Sequence, residues 1–142
     1  MNKTEKALKL IHSIMYKNDM FSKWMGIKII EVGPGRCTLK AEIRNDMLNG
    51  FMICHGGITY SIADSALAFA SNSHGFHAVS VETSISHTKV VRDGDTVTAV
   101  AIEKNLSNKF GIYEVTLTNQ NGELIALFKG TVYISGKEWE LQ

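Results

Sequence analysis

Residues 56–73 read GGITYSIADSALAFASNS, and no other stretch limits the fold as much. Beyond the opening glycine pair, small and aliphatic side chains run on without a breaker, and Gly75 supplies a stop just past the end. The pattern predicts one long helix. At ~100° per residue, Ile58, Ile62, Ala66 and Phe69 fall within roughly 80° of one another, a stripe suited to burial. Gly57, Tyr60, Ser61, Asp64, Ala68 and Ser71 fall on the other side. A helix so apolar on one face must be covered there by other elements.

The rest of the chain supplies that cover. MGIKIIEVGPGRCTLKAEIR reads as two strands around the turn Gly33-Pro34-Gly35. After the helix come AVSVETSISHTKVV, DTVTAVAIEKNL, GIYEVTLTNQ and ELIALFKGTVYIS, rich in β-branched and aromatic residues. Their joints are Asp93-Gly94-Asp95, the polar residues 107–111 and the hairpin signal Asn121-Gly122, so the late strands are expected to form an antiparallel meander. Residues 4–18 carry Leu8, Ile11, Ile14 and Met15 at helical spacing, with Thr4 as the expected cap. Phe21, Trp24 and Met25 are expected to close one end of the core. The expected class is α+β, a long central helix wrapped by a curled antiparallel sheet of about five to six strands. One domain is expected over 1–142, with an N-terminal helix within 1–20 and a core over about 26–135.

Composition narrows the function. A net charge of +1, from 15 basic and 14 acidic residues spread along 142, gives no stripe for a nucleic-acid backbone. No apolar run approaches the ~20 residues of a membrane span, and the N-terminus lacks a signal core. Cys37 and Cys54 stand apart with no CxxC spacing, which fits a reducing cytoplasm. His74 and His77 lack the further ligands a metal shell needs, so no metal or other cofactor is expected.

The helix carries one carboxylate, Asp64, and two readings of it stand. It is a solvated side chain, as most aspartates are, or it works at a sheltered contact. Gly56 and Gly57 open a helix whose first amides lack internal partners and whose end is positive, which favours an oxyanion and lets a ligand approach the backbone closely. Asn49 and His55 stand just upstream, able to orient water or a carbonyl. His55 also reads as a plain polar cap, and the two roles are compatible.

The run Asn49-Gly50, Cys54-His55-Gly56-Gly57, Ala63-Asp64-Ser65-Ala66 and Asn72-Ser73, followed by Gly94-Asp95 and LIALFKGTVY, resembles the phenylacetic-acid-degradation (PaaI-type) thioesterases of the hotdog superfamily. The resemblance spans about residues 26–134. It implies the hotdog fold and acyl-CoA as substrate, aryl-acetyl or medium-chain. It implies that the Gly56 amide polarises the thioester carbonyl, that Asp64 is general base or nucleophile, and that Asn49 and His55 line the site. Relatives place a hydroxyl near Ser80 beside the catalytic water. One departure lies in SHTKVVRDGD, where relatives commonly have a proline before the Gly-Asp turn.

Gly56 and Asp64 lie eight residues apart, ~12 Å along a helix axis. An oxyanion donor and a base must both stand about 3 Å from the reacting atoms, so one helix cannot supply both. Two antiparallel helices across a two-fold axis can, and small residues at Gly57, Ser61 and Ala68 would let them approach. The expected assembly is a homodimer with shared sites, paired into a dimer of dimers. Gly57, Ser80, Lys89, Arg92 and Lys109 are the expected substrate-binding residues; the cations among them, with Lys104, could meet coenzyme A phosphates or be merely solvated. Two rivals remain. A hotdog hydratase or dehydratase usually has a histidine about five residues after its aspartate, where this chain reads SALAFASNSH. A non-catalytic acyl-CoA sensor would not need Asp64.

Overall fold

The computed structural model describes residues 1–141. The chain opens with α1 (Lys3–Leu10), which continues through a π-helical turn, Ile11–Met15, into the short α2 (Tyr16–Asn18). The cap is Asn2, not Thr4. Asn2 Oδ1 accepts from the Glu5 N–H at 2.9 Å, while Glu5 Oε2 accepts from the Asn2 N–H at 3.0 Å, a reciprocal box that starts the helix two residues early. Ala7, Leu10 and Ile11 are its buried side chains, and Leu8 faces solvent. A short helix absent from the expectations, α3 (Met20–Trp24), follows; Asp19 caps it by accepting from the Ser22 N–H at 2.9 Å. Of the three residues expected to close the core, only Met25 does. Phe21 and Trp24 stack edge to face at 5.8 Å and are about half exposed, with the Arg44 guanidinium 4.9 Å from the Trp24 ring centre.

The first hairpin is β1 (Lys28–Gly33) and β2 (Arg36–Glu42), joined at Pro34-Gly35. After a 3-10 turn comes α4 (Gly56–Asn72), then β3 (Phe76–His87), β4 (Thr96–Leu106), β5 (Phe110–Thr118) and β6 (Leu124–Glu138). All six strands form one antiparallel sheet in the order β1-β2-β4-β5-β6-β3. The expected meander is β4-β5-β6. β3, nearest in sequence to the helix, pairs instead with β6 and forms a free edge, so the sheet is open.

The sheet wraps α4, and alternate residues of its central strands meet it: Val97, Ala99 and Ala101 on β4, and Tyr113, Val115 and Leu117 on β5, are wholly buried. Ile58, Ile62, Ala66 and Phe69 are buried as the wheel requires, each worth ~1.5–3 kcal/mol where the side chain is large. Gly130 lies where β6 crosses the helix; a Cβ there would stand 2.5 Å from Leu67 Cδ2. The chain leaves α4 through Gly75, at φ +98°, and Asn72 fixes the exit by exchanging 3.0 Å hydrogen bonds with both backbone groups of Ala78. A long helix held in a curled antiparallel sheet is the hotdog arrangement. No helix among the described residues is long and apolar enough to cross a membrane.

Candidate active site

The first turn of α4 has a free amide at a defined place. His55 is the N-cap, and its Nδ1 accepts from the Gly57 N–H at 2.8 Å, which leaves the proton of a neutral ring on Nε2. The Gly56 N–H has no acceptor among the described residues and sits at the positive end of a 17-residue helix. Upstream, Asn49 Oδ1 accepts from the N–H groups of Phe51 at 2.9 Å and Ile53 at 3.4 Å, folding the loop over 49–54. Asn49 and Gly56 line one cavity of about 350 Å³ with Cys54, Thr59, His87 and Lys89. Residues 88–91 of the β3–β4 loop also line it, tied down by the Cys54 N–H donating to Val91 O at 2.8 Å. Burial pushes the Cys54 thiol up to about 11, which keeps it protonated and weakly nucleophilic near neutral pH.

Asp64 opens elsewhere. It shares a cavity of about 240 Å³ with Leu67, Ala68, Ser71, Val79 and Ser80. Burial raises its carboxyl above the ordinary value of 3.8, and the charge of Asp19 adds to the shift. Asp19 is near because α3 is fastened to α4: the Ser22 hydroxyl donates to Asp19 Oδ2 at 2.6 Å and meets Ser65 Oγ at 2.8 Å. Asp64 is half-buried, so it is not the freely solvated carboxylate of the plainer reading.

Two groups of the expected residues thus come together separately, Asn49 with Gly56 and Lys89, and Asp64 with Ser80. Gly57 commits its N–H to His55 and joins it in a third cavity of about 340 Å³ beside Phe21, Leu48 and Ile58. Lys89 pairs with Glu123, and that contact holds the Glu123 carboxyl below its usual range. Arg92 is exposed in the β3–β4 loop. Lys109 stands at the β4–β5 turn beside Phe76 and Tyr133, in a cavity apart from both groups. His74 meets Glu103 at 2.5 Å and His77 stacks on Trp139 at 3.9 Å; no cluster of three metal-ligating side chains occurs among the described residues. Sequence reasoning missed Asp19 and His87, which reach α4 only through tertiary packing, and Thr59 on α4, whose partner His87 lies 28 residues away.

Residues 51–126 match the thioesterase superfamily family model. The chain belongs to the thioesterase superfamily. It is 37% identical over 127 residues to the acyl-coenzyme A thioesterase PaaI of Escherichia coli, covering 89% of this chain and 90% of that one. The solved structure of that PaaI superposes with a TM-score of 0.93, over 96% of this chain and 99% of the other, at 35% identity. A putative esterase of Archaeoglobus fulgidus is 39% identical over 131 residues, 92% of this chain and 85% of its own. A Streptococcus mutans structure bound to acetyl CoA matches at 26% identity and a TM-score of 0.77, covering 80% and 91%. The PaaI-type likeness read from Cys54-His55-Gly56-Gly57 and Asp64 therefore holds, and the protein is a thioester hydrolase with the hotdog fold.

Proposed function

We propose that the protein hydrolyses acyl-CoA thioesters, aryl-acetyl or medium-chain, at sites built from two subunits. The Gly56 amide of one copy polarises the carbonyl, and Asp64 of the other acts as general base or nucleophile. The observation that carries this reading is the separation of Gly56 and Asp64 into different cavities on one helix, ~12 Å apart. Each cavity holds half of what thioester hydrolysis requires. A departing thiol has a pKa near 8.5, so its thiolate leaves with little help, and the enzyme needs mainly an oxyanion donor and a base. The raised carboxyl of Asp64 favours the base role, since a higher value makes a stronger base. The Escherichia coli relative, an acyl-coenzyme A thioesterase, and the Streptococcus mutans structure bound to acetyl CoA support coenzyme A as the thiol.

Complementation tests the shared site. Asp64→Ala and Gly56→Val, each inactive alone, are mixed after reversible dissociation. Half of the randomly formed dimers are mixed, and each of those has one intact site, so activity should return to roughly a quarter of wild type if sites act independently. Mixing without exchange restores nothing. Verified heterodimers that stay inactive while both variants remain folded overturn the arrangement.

A further inference from the structure

We infer that His87, at the end of β3, is a further functional residue of the thioesterase site, placed to donate to the departing sulfur. The inference rests on the acyl-thioester reading above and adds a role that reading leaves unfilled.

His87 is brought to the site by tertiary structure alone. Its ring lies against Gly56: a Cβ on that glycine would meet His87 Cε1 at 3.3 Å and Nδ1 at 4.0 Å. The ring edge carrying both nitrogens therefore faces the residue whose amide is free. Thr59 fixes the ring. Its hydroxyl, nearly buried, lies 3.1 Å from Gly56 O and 2.7 Å from His87 Nε2, and the inferred arrangement gives its one proton to the carbonyl and a lone pair to the ring. Nε2 is then the donor to Thr59, and Nδ1 has no partner among the described residues.

The role rests on the cavity that His87 shares with the Gly56 amide. Gly56, His87 and Lys89 all line this cavity. The inferred pose puts the thioester's carbonyl oxygen on the Gly56 N–H and runs its thiol arm along the cavity that His87 and Lys89 share with that amide. The sulfur, one bond from the carbonyl carbon, then lies on the His87 side. In the protonated ring both nitrogens donate, Nε2 to Thr59 and Nδ1 to the sulfur.

The step balances as follows. Water attacks the carbonyl carbon, giving a proton to Asp64 of the second copy and its oxygen to carbon, while the carbonyl oxygen becomes an oxyanion on the Gly56 amide. As the C=O re-forms, the C–S bond breaks with its electron pair on sulfur, and His87 Nδ1 delivers its proton there. The products are carboxylic acid and thiol; neutral His87 and protonated Asp64 exchange their protons with solvent.

Leaving-group dependence separates this role from a structural one. Turnover is measured for the coenzyme A thioester and the thiophenyl ester of the same acid, whose aryl thiolate needs no proton. His87→Gln and His87→Phe should lower kcat on the coenzyme A ester at least about 10-fold, below the ~10²-fold floor for positioned acids because a thiolate is already a fair leaving group. On the thiophenyl ester the loss should stay under about 3-fold by the same reasoning. Equal losses on the two esters, or none on either, overturn the inference while leaving the thioesterase reading standing. A wild-type protein that hydrolyses neither ester removes that reading, and this inference with it.

Discussion

Asp64, the proposed base, shows at the scale of one residue how a group set in an apolar helix departs from what packing alone would choose. Its surroundings are Leu67, Ala68 and Val79, and burial first, then Asp19, raise its carboxyl above 3.8. A raised value means the folded state binds the proton more tightly than the unfolded chain, so this group's favourable contribution is present at low pH and lost as pH rises through the window above 3.8. Asp64→Asn, neutral throughout, should therefore melt higher than wild type at pH 7, by on the order of 2 °C, and the gap should close as pH falls toward 3.8. The same variant should lose at least about 100-fold in kcat. A variant that melts lower at pH 7 with turnover intact would make Asp64 an ordinary helix residue. Asp64 was legible in the sequence because a lone carboxylate in an apolar helix is an anomaly, and Gly56 because a glycine pair opens that helix. His87 was not, since its contact with Thr59 spans 28 residues and exists only once the end of β3 has folded back on the first turn of α4.

Among the elements, α4 and the hairpins were readable because their signals are local: a breaker-free run, the turn at Pro34-Gly35, and Asn121-Gly122, where Gly122 does take φ +75°. α3 was not, because five residues are too few to show a helical period. Nor was the pairing of β3 with β6, which bypasses the strands between them and is decided by how the sheet curls around α4. That curl depends on close approach at Gly130, where a Cβ would meet Leu67 Cδ2 at 2.5 Å and Phe128 Cε1 at 3.3 Å. Leu67 is only 1% exposed and has no free space to yield into. Gly130→Ala should thus destabilise the fold by about 1–3 kcal/mol, the usual cost of overpacking a filled core, read as a shifted denaturant midpoint. An unchanged midpoint would mean the helix can slide on the sheet.

For the whole molecule, the strand order leaves β3 as an edge that nothing among the described residues covers. Val79 and Val81 on it are 63% and 57% exposed, an apolar stretch that an edge strand normally avoids unless it is to be paired. Pairing it with β3 of a second copy would continue the sheet and set two α4 helices side by side, which is what the proposed two-subunit site requires. Val81→Lys tests this, because Val81 lies outside the Asp64 cavity and, in a two-fold interface, each substitution enters twice. The variant should keep its far-UV spectrum, sediment as a monomer or a weakened dimer, and lose activity per subunit in proportion to the dissociated fraction. Raising its concentration should recover both dimer and turnover, because no single subunit holds Gly56 and Asp64 within reach of one carbonyl. A folded monomer with full activity per subunit would mean that one chain suffices, and the distance between Gly56 and Asp64 would then rule out their sharing one reaction.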